Sequence, residues 1–80
     1  MGQYGKTTLK IDAPIIIAQD GVAIWTESEW PTKFFSWLET QDIKLRGMKH
    51  GNGHLVLMFK TPKDLTLFGL QYDKEKIFRT

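Results

Sequence analysis

Two stretches of alternating polar and apolar residues flank a glycine-rich turn in the middle of the chain. Ile43-Lys44-Leu45-Arg46 precedes the turn, and His54-Leu55-Val56-Leu57-Met58-Phe59-Lys60 follows it. Between them lies His50-Gly51-Asn52-Gly53-His54. Alternation with period two is typical of half-buried strands, and closely spaced glycines with asparagine are typical of hairpin turns. The segment therefore predicts an antiparallel hairpin, and it constrains the fold more than any other part of the chain.

The register of this hairpin decides which side chains share a face. A two-residue loop at Asn52-Gly53 would place Leu45 opposite Lys60, so that a core residue and a charge would lie on one face. A three-residue loop at 51–53 instead places His50 opposite His54, and a slip of one residue exchanges whole faces. We therefore predict the three-residue loop. One face then carries Ile43, Leu45, Leu55, Leu57 and Phe59. The other face carries Lys44, Arg46, Met48, His50, His54, Val56, Met58 and Lys60.

More strands are predicted before this hairpin. Residues 7–11 alternate and are rich in β-branched residues, which is typical of a short strand. Residues 15–25 predict a second hairpin, because the Asp20-Gly21 step between two apolar runs supplies the backbone conformations of a tight turn. One long bent strand is the alternative interpretation of that segment.

Two helices are predicted, each starting near a proline. Pro31 suits the first helical position, with Trp30 just outside. The apolar stripe of this first helix is Phe34, Trp37, Leu38 and Gln41, with Phe35 beside it. Thr61 is expected to cap the second helix at Pro62, with Asp64 in the first turn. The stripe of the second helix is Leu65, Phe68 and Tyr72, widened by Leu67 and Leu70. Residues 77–79 are predicted to add a short final strand.

The resulting order, β(β)-α-β-β-α-(β), predicts an α+β fold. Two helices on one face of an antiparallel sheet would form a two-layer sandwich, and a ferredoxin-like fold is the arrangement of this type that we expect. The 80 residues suit one domain spanning 1–80.

The residue inventory argues against catalysis and cofactors. The chain has no cysteine, which excludes a disulfide framework, a thiolate zinc site and a cysteine nucleophile. Ser28 and Ser36 lie in no nucleophile motif. Gly51-Asn52-Gly53 lies between strands and precedes no helix, so the helix N-terminus that binds phosphate is missing. We therefore expect a protein that is not an enzyme and that holds no cofactor.

The two histidines are the strongest indication of a metal site in the sequence. In the predicted register His50 and His54 face the same way and could together bind a divalent ion. A zinc site needs at least three protein ligands, and no Cys, Asp or Glu lies between residues 43 and 63. We therefore interpret both histidines as exposed turn residues and expect no metal.

Charge is unevenly distributed along the chain. Residues 12–42 carry six acids and one base, whereas residues 43–63 carry five bases and no acid. Residues 1–6 contain no apolar leader, and Lys6 stands where a myristoylation motif needs Ser or Thr. The aliphatic run at 15–18 is too short to cross a bilayer. We expect a cytoplasmic protein that does not associate with membranes.

The basic face of the central hairpin is the candidate binding surface. Its cations around an apolar strip could contact an acidic protein surface or a nucleic-acid backbone. The outward side chains of residues 54–59 include no Phe, Tyr or Trp, and the glycine-aromatic signature of RNA-recognition sheets is absent, so base stacking is not expected.

Residues 51–72 resemble a pattern in small uncharacterised proteins of tailed phages. The shared features are a strand that ends in Phe59, a polar turn, Asp64, and a helix reading Phe-x-Leu-x-aromatic at residues 68–72. The resemblance implies a phage origin, hence the host cytoplasm, and a ferredoxin-like core, and it carries no site residue. Our first hypothesis is a protein-binding module, a phage-encoded inhibitor or modulator of a host protein. The alternatives are a nucleic-acid-binding protein and a virion or assembly component, and the ten aromatics leave room for a homodimer interface in each.

Overall fold

Five strands and three helices form the described part of the chain, residues 7–78 of a computed structural model. The strands are β1 (Thr8–Asp12), β2 (Ile15–Ile17), β3 (Ala23–Trp25), β4 (Leu45–Gly51) and β5 (His54–Phe59). The helices are α1 (Glu29–Thr40), α2 (Pro62–Gln71) and α3 (Lys74–Phe78). The predicted α+β class is confirmed.

The main sheet has three strands in the order β1-β5-β4. β5 is antiparallel to both neighbours, so β1 and β4 run parallel to each other with β5 between them. β2 and β3 form a separate antiparallel hairpin, with Ile15 opposite Trp25, which confirms the hairpin predicted at 15–25. In its turn Gly21 has a φ of 87°, a value that glycine adopts without steric cost.

The core lies between one face of the main sheet and the helices. Leu55, Leu57 and Phe59 alternate along β5 and are completely buried, as the alternation of this segment predicts. Phe34 of α1 and Phe68 of α2 are buried in the same cluster. The opposite face of the sheet carries the polar half of the alternation. With one layer of sheet and one layer of helices, the described part of the chain measures 36 × 34 × 16 Å.

The first helix starts earlier than the sequence predicts. α1 begins at Glu29 and includes Trp30, so Pro31 is the third helical residue rather than the first. Proline is tolerated there because the amides of the first turn have no intrahelical acceptor. The restriction on the residue before proline is offset by packing, since Trp30 is 7% exposed and stacks on Phe34 and Phe78 with ring centroids 4.7 and 5.0 Å away.

The second helix begins as predicted. The Thr61 hydroxyl accepts a hydrogen bond from the Asp64 amide (3.2 Å) and donates one to the Asp64 carboxylate (2.8 Å), and Pro62 is the first helical residue. The proposed widening of the apolar stripe by Leu70 is wrong, because this side chain is 76% exposed. Leu70 lies two positions after Phe68, which places it about 200° around the helix from that buried ring.

The predicted final strand is wrong for Ile77 and Phe78, which belong to α3, while Arg79 lies outside the described residues. Phe78 stacks on Trp30 instead of extending the sheet. Aromatic burial at the helix layer therefore takes the place of strand pairing in this segment. No further strand lies beside β1 within residues 7–78.

Candidate interaction surface on the open sheet face

The central hairpin closes with a shorter loop than the sequence predicts. Gly51 pairs with His54, so the loop is the two residues Asn52 and Gly53, and the three-residue loop at 51–53 is wrong. The mismatch that argued against this loop is removed by a β-bulge, because Arg46 is an extra residue between the pairs Gly47–Met58 and Leu45–Phe59. Leu45 therefore keeps an apolar partner, and Lys60 donates its amide to the carbonyl of Lys44 (3.0 Å).

Contacts from β2 hold the two-residue loop in place. The Ile17 amide donates to Oδ1 of Asn52 (2.7 Å), and the Gly53 amide donates to the carbonyl of Ile15 (2.7 Å). Gly53 has a φ of 77°, which glycine adopts freely. The loop thus depends on residues more than 30 positions away in the sequence, as the Ile17–Asn52 bond shows with a separation of 35.

The observed register moves two predicted site residues to the other face. Met48 lies opposite Leu57 and His50 opposite Leu55, so both are on the helix side of the sheet. Met48 packs against the buried core. The His50 ring contacts Trp25 edge-on, with centroids 5.9 Å apart. The prediction that Met48 and His50 face outward with the cations is therefore wrong.

His50 and His54 consequently lie on opposite faces, and the expectation that they face the same way is wrong. His54 faces outward, with Nδ1 3.1 Å from the carbonyl oxygen of Asn52. Its ring lies over Gly51, where an added Cβ would collide with it, so glycine is needed opposite this histidine. Residues 7–78 contain no group of three or more Asp, Glu, His or Cys side chains placed to hold a metal ion.

We call the surface of the main sheet that faces away from the helices the open face. Strand pairing places on it the alternate residues of each strand and the bulged arginine. They are Thr8, Lys10, Asp12, Arg46, Gly47, Lys49, Gly51, His54, Val56 and Met58, continued past the strand ends by Lys44 and Lys60. Six of the eight predicted site residues belong to this surface, namely Lys44, Arg46, His54, Val56, Met58 and Lys60.

Lys10 and Lys49 belong to the open face but are missing from the prediction. Lys49 lies opposite Val56, on the open face, because the bulge and the two-residue loop together change the face on which each residue of this part of β4 lies. Lys10 lies opposite Val56 on the other side, in β1. The alternation of residues 7–11 was a usable signal for the polar side of β1, but it does not indicate that β1 pairs with β5.

The cations of the open face are largely uncompensated. Within the described part of the chain the ion pairs are Lys33–Glu29 in α1 and Lys44–Asp42, whose Nζ and Oδ1 are 3.3 Å apart. No carboxylate in that part lies within ion-pairing distance of Lys10, Arg46 or Lys49. The surface therefore presents net positive charge to an approaching molecule.

An apolar strip separates these cations. Val56 and Met58 are half-buried on β5, between the lysines of the two outer strands. The Met58 side chain covers Gly47, because a Cβ built on that glycine would lie 3.1 Å from the Met58 methyl carbon. Arg46 Nη1 reaches the Met58 sulfur at 4.0 Å, which holds the guanidinium beside the strip.

The α2 cap fixes one end of the open face. Asp64 Oδ1 accepts a hydrogen bond from the Lys44 amide (3.2 Å), which ties the start of β4 to the first turn of α2. The hydrogen bond from the Thr61 hydroxyl, followed by the one from the Lys44 amide, holds the pKa of the Asp64 carboxyl below its usual value of 3.8. This link positions Lys44 and Lys60 beside each other.

Aromatic rings lie on the opposite side of the sheet. Phe, Tyr and Trp are absent from the open face as the described residues form it, because the rings pack in one network on the helix side. The rings of this network are Trp25, Trp30, Phe34, Phe35, Trp37, Phe59, Phe68, Tyr72 and Phe78. The open face therefore offers charge and aliphatic contact but no ring to stack on a nucleobase.

A cleft of 580 Å³ lies at the end of β1, against α1 and α3. Its walls are Asp12, Ala13, Pro14, Glu27, Trp30, Lys74, Glu75 and Phe78. The charged side chains of this cleft are exposed, and no polar or charged residue in the described part of the chain is buried. The cleft thus lacks the converging buried polar groups that usually orient a small ligand.

No family model, no curated protein and no solved structure matches this chain. Helices long and apolar enough to cross a bilayer are absent from residues 7–78.

Proposed function

We propose that this chain is a non-enzymatic binding module that docks an acidic surface of a partner protein on its open face. The observation that carries the proposal is the position of Lys10, Arg46 and Lys49 around Val56 and Met58, with no carboxylate partner for these cations among the described residues. A half-buried apolar centre with a charged rim is the usual anatomy of a protein interface. Methionine adds adaptable apolar contact at its centre.

A nucleic-acid backbone is the second candidate partner. The cations of the open face could neutralise phosphates, and such binding would weaken steeply as salt increases. One feature of this surface favours the protein partner: the open face, as the described residues form it, has no Phe, Tyr or Trp for base stacking. An apolar centre also contributes little to contacts with phosphates.

The resemblance of residues 51–72 supports a further part of the proposal. By analogy with small tailed-phage proteins, the chain would act in the host cytoplasm as an inhibitor or modulator of a host protein. The strand arrangement β1-β5-β4, with α1 linking the two parallel outer strands, supports relating the fold to the ferredoxin-like sheet, with α3 in the place of its last strand.

The direct test is charge reversal on the open face. Arg46→Glu combined with Lys49→Glu should weaken the retention of a stoichiometric bacterial partner in affinity capture by about 10-fold or more, because like charges would then meet across the interface. The matched control is Lys63→Glu with Lys76→Glu, which makes the same charge change on exposed positions of α2 and α3. The control should retain the partner.

Two results would count against the proposal. Equal loss of the partner in both double variants would show that only net charge matters. Salt-sensitive binding of a fluorescent oligothymidine by the parent, lost in the Arg46/Lys49 variant and retained in the control, would support the nucleic-acid candidate in place of a protein partner.

A further inference from the structure

Within residues 7–78, the outer edge of β1 is open. β1 pairs with β5 on one side only, and no other strand of residues 7–78 lies beside it. The segment predicted to add a strand, at Ile77 and Phe78, is part of α3. An open edge presents backbone donors and acceptors that another strand can bind.

The hydrogen-bonding direction of β1 can be derived from its surroundings. The Ala13 amide donates to the carbonyl of Gly53, one residue beyond the Asp12–His54 pair. Backbone groups of a strand point to alternate sides along the chain, so Leu9 and Ile11 also bond to β5. The amides and carbonyls of Thr8, Lys10 and Asp12 therefore point to the open edge.

We propose that this edge pairs antiparallel with the β1 edge of a second copy of the chain, centred on Ile11. In this register Lys10 of each copy lies opposite Asp12 of the other, and Ile11 lies opposite its own counterpart. The Lys10 and Asp12 backbones would form about four hydrogen bonds across the twofold axis. Their side chains, which share the open face, would form one ion pair on each side of Ile11.

Two other kinds of register are less favourable for physical reasons. Pairing centred on Lys10 would place two lysines directly opposite each other, which is destabilising. A twofold axis between two residues would place the open-face side chains of one copy opposite the core-side side chains of the other. The alternation of β1 is not compatible with that pairing. Beyond the Lys10–Asp12 pairs the ladder ends, because Thr8 would face Pro14, which has no amide hydrogen.

Lys10 and Asp12 are suited to this role because both are exposed and neither has an ion-pair partner in the part of the chain that the structure describes. The dimer would join two three-stranded sheets into one continuous sheet. It would also place two open faces side by side, with Lys10 paired to Asp12 of the other copy and Arg46 and Lys49 left as cations of each face that have no ion-pair partner among residues 7–78.

Variants that exchange the charges of Lys10 and Asp12 test the dimer. Sedimentation equilibrium from micromolar to millimolar concentration should show the mass rising from 9.3 kDa toward twice that value. Lys10→Glu alone and Asp12→Lys alone should each remain monomeric, because each places like charges opposite one another. An equimolar mixture of these two variants should dimerise, as should the doubly exchanged chain carrying Lys10→Glu and Asp12→Lys.

Amide hydrogen exchange gives a second measurement that does not require the variants to fold. In the parent, the Lys10 and Asp12 amides should become protected as concentration increases, whereas the Leu9 and Ile11 amides should stay unchanged. A mass that stays at 9.3 kDa throughout, or a dimer equally strong in both single variants, would overturn the proposal. Unchanged exchange at Lys10 and Asp12 in a dimer would also overturn it.

Discussion

Deleting Arg46 should preserve the register of the central hairpin. Arg46 is the bulged residue, so its removal leaves Gly47 opposite Met58 and Leu45 opposite Phe59, now in a regular ladder. Met48 then stays on the helix side against Leu57. We expect a change in the free energy of unfolding of no more than about 1 kcal/mol, since the bulge supplies no buried side chain.

Deleting Lys49 should lower the free energy of unfolding more than deleting Arg46, although Lys49 is also exposed. The bulge can absorb this deletion as well, but Met48 then moves to the open face and Gly47 takes its place against the core. Truncating a buried methionine costs about 2–5 kcal/mol, and Met48 is only half-buried, so we expect about 2 kcal/mol. A chain of 80 residues has a total stability of about 4–12 kcal/mol, so both variants should fold.

Chemical and thermal denaturation of the two deletion variants measure this difference. At about 4–8 °C per kcal/mol, the Lys49 deletion should lower the melting temperature by about 10 °C, and the Arg46 deletion by much less. Similar m-values would show that the variants unfold from equally compact states. If the Arg46 deletion were as destabilising as the Lys49 deletion, the assignment of Arg46 as the extra residue would be wrong.

The remaining predictions concern α2 and its surroundings. Thr61→Ala removes the helix cap and should destabilise the protein by about 1 kcal/mol in urea denaturation, whereas Thr61→Ser should change stability little. Because the folded-state pKa of Asp64 is lowered, its contribution to stability should be complete above the unfolded pKa of 3.8 and disappear as the pH falls through the lower folded pKa; Asp64→Asn should remove this part of the acid dependence. Burial, with a smaller effect of the Asp12 charge, raises the pKa of Tyr72 to about 12, so stability should fall between about pH 10 and 12, and less so in Tyr72→Phe. The Tyr72 hydroxyl is buried with no hydrogen-bond partner among the described residues, so Tyr72→Phe should not destabilise the protein at neutral pH.

Much of the open face could be predicted from alternation alone. Four of the six correctly predicted residues, namely His54, Val56, Met58 and Lys60, lie there because β5 presents its odd residues to the core and its even residues outward. The errors at Met48 and His50, and the omission of Lys49, have one cause. Alternation predicts that two strands pair. It does not reveal a bulge, and a single bulge moves every residue between the bulge and the turn to the opposite face of the sheet.

Structural features that depend on neighbouring residues can be predicted from the sequence. The α+β class, the 15–25 hairpin, the Thr61 cap and the buried face of β5 all follow from patterns within a few residues of each other. Such features depend on backbone conformation and on the period of apolar residues, which are local properties.

The tertiary structure decided what depends on distant partners. The two-residue loop is held by Ile15 and Ile17, and the start of β4 is held by Asp64. The position of α3 is held by the stack of Phe78 on Trp30. In each case a segment with two acceptable local conformations takes the one that satisfies a backbone group or buries a ring elsewhere in the fold. Those contacts join residues far apart in the chain, so no local pattern reports them.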